Sequence, residues 1–192
     1  MALAIIGLAS VYPVLLAAIA TIVIGGALLL EGAAIAARYS RLALEKSGAA
    51  QEADISSGMS AEFIGGAAGV VLGVLALVGV APEILIPVAA LTFGASLLIG
   101  SAANARLNHM LMFVPRHEHG DEYLERIARE TVNAASGAEF MIGAGASVLG
   151  ILAIVRVGPW LALSLVAFLV VGTAVLLTGA AFSGKLLAFL RH

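Results

Sequence analysis

Three acids stand inside otherwise apolar sequence: Glu31, Glu62 and Glu139. Each falls one to two helical turns from a polar stretch, so all three reach similar depth. Offsets of four, seven and eleven residues share one face of a helix. Glu62 shares its face with Gly66, Gly69 and Gly73, and Glu139 with Gly143, Ala146 and Gly150. Faces of small residues are where membrane helices pack closely. Both carboxylates are therefore expected to point into a helix bundle, where an ionisable group is costly and has a functional role by default. Two chemistries fit. Clustered carboxylates, with Asn104 as a neutral ligand, can bind a hard or borderline divalent cation. Alternatively, burial and mutual repulsion let the same acids take up protons in mild acid. A plainer role also fits, because an acid in the first turn of a helix is favoured by the helix dipole. Glu62 follows Ser57 and Ser60, Glu139 follows Ser136, and Glu31 lies within reach of Arg38.

A second constellation is Arg116-His117-Glu118-His119-Gly120-Asp121-Glu122, with His109 upstream. His117 and His119, alone or with His109, are candidate ligands for zinc, copper or iron. The plainer reading is a polar loop. No histidine falls within an apolar span, which disfavours a bis-His membrane haem. The chain has no cysteine, which excludes disulfides, thiolate metal sites and cysteine nucleophiles. It also lacks a serine nucleophile elbow, a phosphate loop and a zinc-protease helix motif. Gly65-Gly66 and Gly143-Ala144-Gly145 lie within helical sequence and read as packing residues. The expectation is a protein that is not an enzyme.

The elements that carry these residues follow from composition. Of the 192 residues, 61% are hydrophobic and 11% charged, and the mean hydropathy is +1.09. A soluble domain is about half apolar and a quarter charged, so a lipid bilayer is the expected surrounding. A net charge of −2 speaks against nucleic acid as a partner. Apolar stretches cover 13–37, 60–80, 82–105, 138–157 and 159–187, each near the ~20 residues that cross a bilayer. Strand alternation is absent, which predicts an all-α bundle of about five transmembrane helices in a single domain. Residues 1–12 lack a basic leader and read as part of the mature bundle.

Of the ten basic residues, Arg156 alone falls on the side of the short turns, and nine fall on the side of the long loops. Basic loops stay cytoplasmic. This places the N-terminus outside, the C-terminus in the cytoplasm and the loop 106–136 inside, with Tyr12 and Trp160 at the outer interface. Within that loop, residues 121–133 have the pattern of a short amphipathic helix, with Glu122–Arg126 and Glu125–Arg129 pairs. It reads as a connector into the fourth span, with a membrane-surface or docking helix as the alternative.

Residues 61–82 and 138–159 match at 13 of 22 positions without a gap. The repeated unit is a helix, a Pro turn and a second helix. Two spans per unit make the copies parallel about the membrane normal. They cover 57–112 and 134–189, with a truncated first copy over 1–45, in which Pro13 aligns with Pro82 and Pro159, and Gly25 with Gly94. Residues 3–12 are expected to form a half-helix, and the missing half to leave a groove on the outer half for lipid or a neighbouring subunit. The pattern G-x6-G-[VI]-L-A-[LI] followed by Pro runs from Gly66 to Leu77 with Pro82, and from Gly143 to Ile154 with Pro159. It resembles the short repeat of the HdeD-type acid-resistance membrane proteins. The resemblance implies a bacterial cytoplasmic membrane protein with helical hairpins, linked to acid resistance. The shortened first helix departs from that pattern, and the three Glu residues lie outside it.

The expectation is thus a non-catalytic membrane protein, a homo-oligomer or a subunit of a larger complex, with Glu31, Glu62 and Glu139 as a proton-sensing element. The alternatives are a small proton- or cation-linked transporter using the same acids, and a carboxylate metal site.

Overall fold

The computed structural model describes residues 1–9, 12–43, 49–111 and 122–189, and the side chains of 1–9, 12–33, 61–102 and 137–176. Six helices follow in order: α1 (Ala2–Leu8), α2 (Pro13–Ala43), α3 (Ala49–Leu77), α4 (Pro82–Leu111), α5 (Glu122–Ile154) and α6 (Trp160–Phe189). No strand occurs among the described residues. Pro13 and Pro82 occupy first helical positions, where the missing N–H costs nothing. Three helices contain stretches long and apolar enough to cross a membrane: Pro13–Ala33, Pro82–Ala102 and Gly137–Ile154. Ala61–Leu77 and Trp160–Leu176 are shorter apolar stretches. These helices are compatible with a membrane protein.

The helices outrun the apolar sequence. At 1.5 Å per residue, the 31 residues of α2 extend about 46 Å, against ~30 Å of hydrocarbon. Helical hydrogen bonding is indifferent to hydropathy, so α2 continues past Arg38 to Ala43. For the same reason residues 122–133 are the first turns of α5. They are coaxial with the apolar segment that follows, which corrects the alternative of a separate surface helix and fits the connector.

Two tight turns join α3 to α4 and α5 to α6, and they are built alike. In the first, Val80 N–H donates to Leu75 O and Gly79 N–H to Ala76 O. In the second, Val157 N–H donates to Leu152 O and Arg156 N–H to Ala153 O. Each is a Schellman closure, which needs a left-handed residue after the helix. Gly79 supplies it with φ +93° in one turn, and Arg156 with φ +60° in the other. The residue ahead of each opening proline is also left-handed: Tyr12 (+43°), Ala81 (+37°) and Gly158 (+93°).

Among the described residues, α2, α4 and α6 touch one another, α3 packs only on α2 and α4, α5 only on α4 and α6, and α1 only on α2 and α6. Inner and outer helices thus alternate. Glycines set the closest approaches. A Cβ on Gly66 would sit 2.7 Å from Gly25 O, and one on Gly143 would sit 2.9 Å from Gly94 O, so only bare backbone allows these crossings. The centre is apolar, with Leu28, Ile86, Phe93, Leu165, Phe168 and Val171 fully buried. Phe93 meets Phe168 edge to face, with centroids 6.1 Å apart, a favourable quadrupole arrangement.

The short α1 runs beside α6. Gly7 lies against Leu165 and Leu16, and Met1 against Gly172. Its seven residues therefore occupy the end of the bundle that holds the tight turns. It thus fills the half of its slot that was expected to stay open, while an apolar cleft lined by Tyr12, Pro13, Leu15, Ala76 and Leu77 lies at the same end, between α2 and α3. The physical reason is chain direction: α1 ends immediately before Pro13, at the turn end, and cannot reach the loop end.

Candidate functional site

Glu62 is the most enclosed of the three predicted acids, with 7% of its surface exposed. Its helix explains why. Gly66 and Gly73 press α3 against α2 at Leu29 and Ile22, while Gly65 and Gly69 press it against α4 at Ser96 and Phe93. Glu62 stands one turn before Gly66 and so enters the wedge between both neighbours. The room for its carboxyl is made by Gly100 of α4. A Cβ on Gly100 would collide with Glu62 Oε1.

Glu31 and Glu139 are half-buried, and both lie close enough for their charges to act on the Glu62 carboxyl. The three acids thus gather near the loop end of the bundle, one each from α2, α3 and α5. Glu139 rides on the expected inward stripe: Gly143 meets Gly94 and Leu98, Gly150 meets Leu91, and Ala146 is fully buried. Gly145 departs from the packing role read for it. A Cβ there meets nothing within 4 Å.

Asn104 and His109 lie within α4, with side chains outside the described residues. His117 and His119 lie outside the described residues altogether. Among the described residues, no three His, Cys, Asp or Glu side chains are arranged to hold a metal ion. The gathering of Glu31, Glu62 and Glu139 is therefore looser than a coordination shell, where oxygen ligands converge within about 2.0–2.6 Å of the ion.

Other buried polar groups are spoken for by their own helices. Thr21 donates to Ala17 O at 2.8 Å, Ser96 to Phe93 O at 2.9 Å, Ser101 to Leu98 O at 3.0 Å and Ser164 to Trp160 O at 2.9 Å. Such back-bonding satisfies a hydroxyl without an interhelical partner. Ser147 differs. Its Oγ is buried without a hydrogen-bond partner among the described residues and abuts Gly94. In the matched sequences 61–82 and 138–159 the residue at the place of Ser147 is Val70, which faces Gly25.

Sequence reasoning missed Gly100 and Ser147. A signal for Gly100 was present, because Glu31 and Gly100 stand in the same register from Pro13 and Pro82. One inner helix brings an acid to that level, and the other brings the space for one. Comparison with known protein families, with curated proteins and with solved structures finds no match.

Proposed function

We propose that this chain is a non-catalytic, multi-pass membrane protein that acts through assembly, with Glu62, Glu31 and Glu139 as its protonatable element. Five spans and a repeated hairpin carry the acids. The Gly25–Gly66 and Gly94–Gly143 crossings support the repeat, as do the two matching turns. On this reading α1 is the shortened first helix of the truncated copy, set between α6 and α2 as α3 is between α2 and α4. The nine basic residues on one side support cytoplasmic loops and a cytoplasmic C-terminus in a bacterial inner membrane. The HdeD-type resemblance supports a role in acid stress.

The single observation that carries the proposal is the Glu62 carboxyl held in the Gly100 space, within the field of two further acids. Gathering negative charge inside a bundle costs free energy that a bound proton relieves. A change in protonation there alters the contact between α3 and α4 and hence the packing of the bundle. Transport would require a polar path onward to the turn end. In that half the buried hydroxyls Thr21 and Ser164 are bonded to their own helices, which favours assembly over conduction.

Native mass spectrometry in mild detergent tests this, comparing wild type with Glu62→Gln at mildly alkaline and mildly acidic pH. The neutral amide mimics the protonated acid. The expected result is that Glu62→Gln shows at mildly alkaline pH the assembly state that wild type shows in acid. Identical assembly of both proteins at each pH would overturn the proposal.

A further inference from the structure

Glu62 lies far from one end of the bundle and close to the other. From Glu62 to Leu77, where α3 ends, the helix runs about 22 Å at 1.5 Å per residue. Among the described residues, no ionisable side chain occurs over that length in any helix: not in 63–77 of α3, 14–30 of α2, 84–102 of α4, 140–154 of α5 or 160–176 of α6. The way is also filled. Phe93 of α4 presses its ring on Gly69, two turns beyond Glu62, and meets Phe168 of α6 edge to face. Leu28, Leu97 and Val171 belong to the same buried cluster. Thr21, Thr92 and Ser164 each donate to a carbonyl one turn back in their own helix. Ser147 stands at the α4–α5 crossing, and α5 does not touch α3. A charge crossing such a dry interior is costly.

Toward the long loops the distance is short. Glu62 is two residues from Ser60, and the half-buried Glu31 and Glu139 stand at the same end, close enough to act on its carboxyl. They are the charged groups that face it, from α2 and α5. The described part of α4 carries only Glu83, in its first turn at the far end. The α-amino group of Met1 lies against Gly172 of α6, and neither α1 nor α6 touches α3. We infer that Glu62 exchanges its proton with the compartment on the long-loop side and is shut off from the turn side. This sidedness rests on the protonatable Glu62 proposed above. On the topology read from the basic residues, that compartment is the cytoplasm. The bundle then registers the acidity of the cell interior, not that of the surroundings.

The test uses Ser47→Cys protein in strongly buffered vesicles, with and without Glu62→Gln. Labelling by an impermeant thiol reagent gives the fraction of molecules with long loops outward, and a preparation far from an even mixture is chosen. The infrared band of the protonated Glu62 carboxyl is followed as mildly alkaline buffer is made mildly acidic outside, inside or on both sides. Outside acid is expected to give the loop-outward fraction of the band seen with acid on both sides, and inside acid the remainder. Any other partition, including a full response from either side, would overturn the sidedness while leaving Glu62 protonatable. Absence of a Glu62-dependent band with acid on both sides would overturn both.

Discussion

Gly100 has no side chain, and the Glu62 carboxyl fills the room that this leaves. Restoring a side chain there forces one of two well-packed helices to move, which typically costs about 1–3 kcal/mol. Gly100→Ala is therefore expected to lower the thermal unfolding temperature in detergent. The cost should shrink in a Glu62→Ala background, because the two positions share one space. A double-mutant cycle with no coupling would separate them. Ser147 gives the opposite sign. A buried hydroxyl without a partner forfeits about 1–3 kcal/mol, so Ser147→Ala should raise the unfolding temperature. The three acids were legible in the sequence because a charge in an apolar run is conspicuous. Gly100 was harder to see, since its one signal is the register it shares with Glu31, and a missing side chain gains meaning only when the neighbour that fills its place is known.

At the scale of the elements, glycine position decides which helices meet. Gly25 and Gly66 put backbone against backbone, whereas a Cβ on Gly145 or Gly26 meets nothing within 4 Å. Gly25→Ala should destabilise the α2–α3 pair by about 1–3 kcal/mol through overpacking. Gly145→Ala should be neutral or gain up to about 1 kcal/mol of helix propensity. Equal effects at the two sites would contradict the packing described here. The turns offer a cleaner comparison. Arg156 takes the left-handed position that Gly79 takes in the matching turn, at a cost of roughly 1–2 kcal/mol for a residue with a Cβ. Arg156→Gly should recover about that much, and Gly79→Arg should lose it, as read by unfolding in detergent. The prolines and the inward stripes of Glu62 and Glu139 were readable from spacing alone. Helix ends were not. Polarity marks where a helix leaves an apolar surrounding, while its hydrogen bonds continue through Arg38 in α2 and from Glu122 in α5.

For the whole molecule, α2, α4 and α6 alternate with α1, α3 and α5, as the proposed repeat of one sequence unit requires. The repeat was visible as matched residues. Its inner and outer roles were not, because period and hydropathy are nearly alike in helices that are apolar all round. The cysteine-free chain suits a topology test with single introduced cysteines. Ser47→Cys and Gly120→Cys are expected to react with a membrane-impermeant thiol reagent only from the cytoplasmic face, and Gly79→Cys only from the opposite one. Labelling of all three from one face would contradict a multi-pass arrangement.

The most direct measurement is infrared spectroscopy of the carboxyl groups in protein reconstituted into vesicles, as a difference between mildly alkaline and mildly acidic pH. A protonated-carboxyl band that grows with acid in wild type and is lost in Glu62→Gln is the predicted result. A spectrum unchanged by the Glu62→Gln substitution would show that Glu62 takes up no proton, and the account of this bundle as a protonation-responsive assembly protein would fail.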